Sequence, residues 1–246
     1  MKIALLSDIH ANYGALAAVL DHAAATHGDD LRFIQLGDLV NYGPRPNEVV
    51  ERIRALAAAG RLLVNLAGNH EAALDGRGLE RFSTDRGRAT LRQTAAWLTP
   101  ENAEFLRTGL SFEPVGLEIE GRRVLCVHGS LADPFWGELR PGAAAAPAYR
   151  TYDAVFCGHT HRPVFWEEFF PDEPSVRRGQ KKTVFLNPGS IGQPRNHDVR
   201  AQYAVWDPVG DDGWQFHQVA YDVAAEQELF PPEVHEFYRQ RLAAGV

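Results

Sequence analysis

Cysteine and lysine are scarce in this chain of 246 residues, and each scarcity excludes something. Two cysteines, Cys126 and Cys157, are too few for a disulfide framework. Both lie in apolar runs two residues before a histidine, and they read as inert buried thiols in a reducing cytoplasm. Only Lys2, Lys181 and Lys182 are lysine among the 25 basic residues, which leaves 22 arginines. With the many alanines, this reads as a coding bias rather than a recognition surface. A formal net charge of −7 argues against extended binding of nucleic acid, which needs a basic face. No apolar run is long enough to span a membrane, and the stretch Met1–Leu6 is too short for a signal peptide. No phosphate-binding P-loop or dinucleotide glycine fingerprint stands at a strand–helix turn. There is no internal repeat and no low-complexity tract beyond Ala143 to Ala146.

What is present is an ordinary globular composition, 45% hydrophobic and 23% charged, in a chain long enough to bury a substantial core. Apolar runs at Lys2–Ser7, Leu31–Leu36 and Leu62–Leu66 alternate with helical periodicity at Ala15–Ala25 and Pro46–Ala59. Proline opens the second helix and Gly60 stops it. Strand, helix, strand, helix, strand predicts a parallel sheet with right-handed crossovers. Residues 72–112 read as a helical excursion carrying Arg77, Arg81, Arg86, Arg88 and Arg92, a solvated face by default and a lid over a site in the alternative. After Gly121 strands dominate: Val124–Val127, Ala154–Cys157, Val164–Phe169, Thr183–Leu186, Tyr203–Trp206 and Trp214–Tyr221. Pro171–Lys182 reads as a hairpin tip or mobile loop, and Pro232–Ala243 as a closing helix. One α/β domain, 1–246, with two facing sheets flanked by helices, is the economical reading.

Seven metal-binding side-chain types follow these apolar runs in order: Asp8 and His10, Asp38, Asn69, His128, then His159 and His161. In an extended chain, residues two apart share a side, so each x-spaced pair is expected to converge on one ion. A parallel core would bring the rest to one sheet edge, and glycines at 37, 68, 129 and 158 allow close approach there. Each piece alone is weak, since a lone strand-end histidine is more often a satisfied polar group. Five pieces in series are not weak.

With Gly68-Asn69-His70-Glu71, His128-Gly129-Ser130, Gly158-His159-Thr160-His161 and Asn187-Pro188-Gly189-Ser190, the chain resembles the calcineurin-like metallophosphoesterases of the small bacterial type over nearly its full length. The resemblance implies a four-layer αββα sandwich of two mixed β-sheets flanked by helices. It implies one divalent ion on Asp8, His10, Asp38 and His161, and a second on Asp38, Asn69, His128 and His159, with Asp38 bridging. Manganese is the expected ion, with Fe, Zn, Co or Ni admissible for such ligands. It also implies in-line attack by a metal-bridging hydroxide on a small phosphate ester, phosphodiesters favoured, with His70 serving the leaving alkoxide.

One departure narrows the subfamily. Protein phosphatases and dinucleotide polyphosphatases of the superfamily carry Asp and Arg where this chain has Asn41 and Tyr42. That leaves Glu71 or Asn41 as the partner of His70. Asn12, Asn41, Arg162 and Arg195 are candidate substrate contacts, while Ser190 reads as loop structure. His22, His27, His197, His217 and His235 read as structural or surface residues. The competing functions are a phosphomonoesterase or nucleotidase, a non-catalytic metal-binding scaffold of the same fold, and a nuclease, the last disfavoured by the acidic charge.

Overall fold

The structure, a computed structural model, describes residues 1–142, 146–171, 180–209 and 213–246. The first sheet has the order β10-β9-β1-β2-β3, from β1 (Ile3–Leu6), β2 (Arg32–Gln35), β3 (Leu62–Asn65), β9 (Ala201–Trp206) and β10 (Trp214–Val219). Its β1, β2 and β3 run parallel, while β9 and β10 pair antiparallel at the edge. The second sheet has the order β4-β5-β6-β8-β7, from β4 (Val115–Ile119), β5 (Arg122–Cys126), β6 (Ala154–Phe156), β7 (Pro163–Pro171) and β8 (Gln180–Pro188). Here β5, β6 and β8 are parallel, and β4 and β7 close the two edges antiparallel. Both sheets are therefore mixed, as expected.

The sheets pack through Leu5, Ile34, Leu36 and Val64 on one side and Val124, Cys126, Phe156 and Leu186 on the other, all buried. Strands buried on both faces read as continuous apolar runs, which is why the sequence pattern finds them. The outer face of the first sheet is covered by α1 (Tyr13–His27) and α2 (Pro46–Ala58), through Leu16, Val19, Val49 and Ile53. The outer face of the second sheet carries a thinner cover, with Tyr149 of the 3-10 helix Pro147–Thr151 packed among Leu125, Val155 and Phe185.

The excursion comprises α3 (Asn69–Leu74), α4 (Asp85–Trp97) and α5 (Pro100–Thr108). The C-terminal segment forms α6 (Val223–Glu228) and α7 (Glu236–Ala244). Three expectations need correction. Strand β4 was not anticipated, because Gly116 interrupts a half-exposed edge strand. Helix α6 was not anticipated either, although Asp222 caps it by accepting from Ala225 N–H. The last helix begins at Glu236, not at Pro232, and His235 caps it. Strands β7 and β8 pair out to Pro171 and Gln180, and the expected hairpin tip, residues 172–179, lies outside the described residues, as do 143–145 of the alanine tract. Among the described residues no helix is long and apolar enough to cross a membrane.

Candidate metal centre

Every parallel strand of both sheets ends at one place. Asp8 and His10 follow β1, Asp38 follows β2, Asn69 opens α3 after β3, His128 follows β5, and His159 and His161 follow β6. The ladder continues past the strands, with Asp8 N–H donating to Gly37 O, His10 N–H to Asp38 O and Ala11 N–H to Leu39 O. The convergence does not come from extended chain. Asp8, His10, Asp38, His159 and His161 have φ of 52°, 48°, 57°, 68° and 58°, so five of the seven residues stand in left-handed backbone. Tight turns, not alternation, aim each pair inward, and this corrects the sequence expectation. Such conformations cost an L-residue about 1 kcal/mol or more and cluster where a site over-determines them. Two glycines make the approach possible. A Cβ on Gly68 would run into Asp38 Oδ1, and one on Gly37 into His128 Nδ1.

Two groups of ligand atoms result, each within 4.8 Å: Asp8, His10, Asp38 and His161, and Asp38, His128 and His159. Asn69 joins the second group, its Oδ1 lying 3.1 Å from His128 Nε2 and 3.0 Å from His159 Nδ1. Asp38 is common to both. All are buried apart from the half-buried His159.

The second row of contacts fixes what each ring presents. His10 Nδ1 faces Val40 O at 3.3 Å, His128 Nδ1 faces Leu36 O at 2.7 Å and His161 Nδ1 faces Gln193 O at 2.6 Å. A carbonyl only accepts, so in each ring Nδ1 carries the proton and Nε2 offers its lone pair to the centre. His10 Nε2 and His161 Nε2 then lie 3.1 Å apart with lone pairs facing. Asp8 Oδ2 accepts from Ser7 Oγ–H and His159 N–H, while its Oδ1 is buried without a hydrogen bond. Acceptors facing acceptors, with an orphaned buried carboxylate oxygen, are what a divalent cation satisfies, and the N and O donor set fits borderline first-row ions.

Electrostatics agrees. Burial lowers His10 and His161 well below the usual histidine range, His70 to about 4 and His159 to about 3. Burial also pushes Asp8 up to about 7. Burial opposes charge on His128 too, but the Asp38 carboxylate 3.4 Å from its Nε2 overrides this and lifts it to about 9.

The other sequence candidates fall into place. Asn41 Nδ2 lies 2.6 Å from His70 Nδ1, and Asn41 Oδ1 accepts from Thr94 Oγ–H, so Asn41 is the partner of His70. With Nδ1 accepting, the His70 proton sits on Nε2, which faces Asp38 Oδ2 at 3.8 Å. Glu71 does a different job: it accepts from Gly68, Asp38 and Val40 N–H at 2.9, 2.9 and 3.0 Å, clamping the Asp38 turn to α3. Asn12 caps α1 and ties its amide N–H groups to Gly192 O and Tyr221 Oη, so both ends of its amide are engaged within the protein. Arg162 Nε donates to Arg195 O, and Arg195 N–H donates to His161 O. Both arginines line, with His159, Thr160 and Leu139, a cleft of about 520 Å³. Ser190 is loop structure, donating to Asp8 O and accepting from Gln193 N–H. The remaining histidines have structural partners: His22 with Tyr203 Oη, His27 with His217, and His197 N–H with Gly245 O.

Sequence reasoning missed an aromatic wall. Tyr42 meets His10 and His70, Phe82 of the excursion stands edge-on to His70 at 5.0 Å, and Trp136 faces His159 at 6.0 Å. The excursion therefore touches the centre through Phe82 and Thr94. Its arginines Arg77, Arg81 and Arg88 are paired with Asp75, Asp133 and Asp85.

A profile of the calcineurin-like phosphoesterase superfamily domain matches residues 1–211. The chain belongs to that superfamily, and it is a metal-dependent phosphoric ester hydrolase. It is 32% identical to a metallophosphoesterase from Sphaerobacter thermophilus, with all of both chains covered and a TM-score of 0.76. It is 30% identical to an uncharacterised protein of Methanocaldococcus jannaschii, over 99% of this chain and 98% of that one. It is also 28% identical to a symmetrical bis(5'-nucleosyl)-tetraphosphatase of Cronobacter sakazakii, across 71% of this chain and 57% of that protein.

Proposed function

We propose that the protein hydrolyses small phosphate esters at a dinuclear centre, with phosphodiesters preferred over monoesters. The observation that carries this is the shared Asp38, whose carboxylate belongs to both ligand groups. Asp8, His10 and His161 would hold one ion with it, and Asn69, His128 and His159 the other. When bound, two such ions acidify a water and clamp the charge of a phosphoryl group, with manganese the expected metal.

The chain's own residues supply the rest. The carbonyls of Val40, Leu36 and Gln193 keep three imidazoles in the metal-binding tautomer. His70 stays neutral above about pH 4, and Asn41 keeps its proton on Nε2, where it can donate a hydrogen bond to the charge that develops on the leaving oxygen. Phe82, Tyr42 and Trp136 restrict water around that proton. Tyr42 stands where an arginine would clamp a terminal phosphate dianion, and this supports the diester preference. Similarity to a tetraphosphatase supports a small substrate. Two buried free thiols suit a cytoplasmic protein.

The test is metal analysis of the purified protein, followed by turnover of bis(p-nitrophenyl) phosphate and p-nitrophenyl phosphate with added manganese. Asp38→Asn is expected to abolish turnover and lower bound metal; undiminished activity would sink the proposal. His70→Ala is expected to lower kcat by about 10²-fold with bound metal retained.

A further inference from the structure

Five of the chain's ten histidines, His10, His70, His128, His159 and His161, stand at or beside the strand-tip centre. Three of the other five meet elsewhere: His22 and His27 of α1 come together with His217 of β10 on the outer face of the first sheet. The fold explains the meeting. Leu16, Val19, Leu20 and Ala23 form the buried stripe of α1, and His27 continues it one turn beyond Ala23. His217 lies opposite Tyr203 in the ladder of β9 and β10 and stacks on its ring, centroids 4.7 Å apart and planes 19° apart. Tyr203 is fully buried, and its Oη lies 2.8 Å from His22 Nδ1, which sets the third imidazole beside the other two. Since α1 starts next to the centre and runs 15 residues away from it, His27 lies about 20 Å further along.

His27 Nε2 and His217 Nε2 face each other at 3.1 Å. Two imidazoles on one tetrahedral zinc, each at about 2.0–2.1 Å, have their nitrogens about 3.3 Å apart. A hydrogen bond fills the same gap only when one ring keeps its proton on Nε2. Nothing in the protein requires that. Among the described residues neither His27 Nδ1 nor His217 Nδ1 has a hydrogen-bond partner, so each ring can hold its proton there, towards water. All three rings are half-buried, which leaves room for water to complete the coordination of an ion. Burial lowers both His27 and His217, the second to about 4, so neither needs to lose a proton to bind metal at neutral pH. His27 is also the last residue of α1, where unpaired carbonyls gather negative partial charge and favour a cation. Lys2 adds to the lowering of His27, and its charge sets the affinity of an ion here below that of the strand-tip centre. Imidazoles without carboxylates suit zinc, nickel or copper rather than magnesium or calcium.

We propose that His27 and His217 form a peripheral site for one borderline divalent ion, with His22 as the adjoining imidazole, and that the ion clips the C-terminal end of α1 to the edge strand β10. The site is separate from the strand-tip centre and does not depend on what that centre hydrolyses.

The test is equilibrium dialysis of tag-free, full-length protein against zinc, followed by metal analysis. Wild type is expected to retain one more zinc per chain than His27→Gln or His217→Gln, and this zinc to be the last to bind. The second measurement needs no variant. In imidazole nitrogen NMR of wild type, zinc is expected to shift Nε2 of both His27 and His217 while their protons sit on Nδ1, and magnesium to leave both resonances where they are. Equal zinc contents in wild type and the folded variants, an Nε2 proton that survives on either ring at saturating zinc, or the same shifts with magnesium each overturn the site. If a variant fails to fold, the wild-type spectra decide by themselves.

Discussion

Replacing Glu71 by glutamine is a one-atom change with a large expected effect. The carboxylate is 2% exposed and accepts three backbone N–H groups, Oε2 from Gly68 and Asp38 and Oε1 from Val40. Glutamine has one acceptor atom. Kept on the two-donor side, it turns its NH₂ against the Val40 N–H, so donor faces donor and a buried amide loses its partner, at about 1–3 kcal/mol. The two surviving bonds fall from charge-assisted to neutral, about 1 kcal/mol each. Removing a buried charge returns part of this, since burial and then Asp38 already push Glu71 up to about 7. The balance is a loss of about 3 kcal/mol, or about 10 °C in Tm for a chain of this size. Thermal melting at pH 8 with saturating metal measures it, with the exposed Glu104→Gln as a control expected to stay within about 0.5 kcal/mol. A Glu71→Gln melt within about 2 °C of wild type, with metal content intact, would refute the view of Glu71 as the clamp on the Asp38 turn.

Asn41→Asp is expected to place an acceptor against His70 Nδ1, move the proton to that nitrogen and raise the His70 pKa from about 4. The acid limb of the pH–rate profile should then shift upward by about one unit, with a lower plateau kcat because neutral His70 no longer carries its proton on Nε2; an unmoved limb would detach Asn41 from His70. Metal-free protein should lose stability on acidification below pH 6.5. His10, His70, His159 and His161 have lowered pKa values, so the unfolded chain takes up protons there that the folded chain refuses. Asp8 and Glu71, held near 7, oppose with two protons bound in the fold, while the part-exposed His217 and His27, also lowered by burial, act with the four. At least two net protons are therefore taken up on unfolding, a slope of about 3 kcal/mol per pH unit or more near pH 5. Denaturant midpoints at pH 5 and 6.5 test the sign, and saturating metal should flatten the dependence by occupying the same lone pairs.

The strands and the order of the ligands were legible in the chain because buried parallel strands leave uninterrupted apolar runs, each ending where a ligand begins. The geometry of the ligands was not. Alternation predicts that Asp8 and His10 share a side, whereas the backbone at both is left-handed, a state that side-chain chemistry does not announce. Glu71 was legible only as a possible partner of His70; with glycine at the cap position no Ser/Thr-x-x-Glu signature announces that its carboxylate reaches back to Gly68 N–H. Long-range neighbours such as Thr94 on Asn41 or Tyr238 on Tyr42 are 53 and 196 residues away in the chain, and no local pattern encodes them. Strand β4 was lost for a simpler reason: a glycine in a half-exposed edge dilutes the period-two signal.

The left-handed backbone at five candidate ligand positions sets folding and function against each other at named residues. For folding alone, glycine or asparagine would suit Asp8, His10, Asp38, His159 and His161 better, and burying fewer acids and imidazoles would help again. A library of this protein selected only for heat resistance should therefore drift first at the centre, discarding Asp8 or His159 while the strands beneath stay unchanged. Stability gained in that way would mark out the site by erasing it.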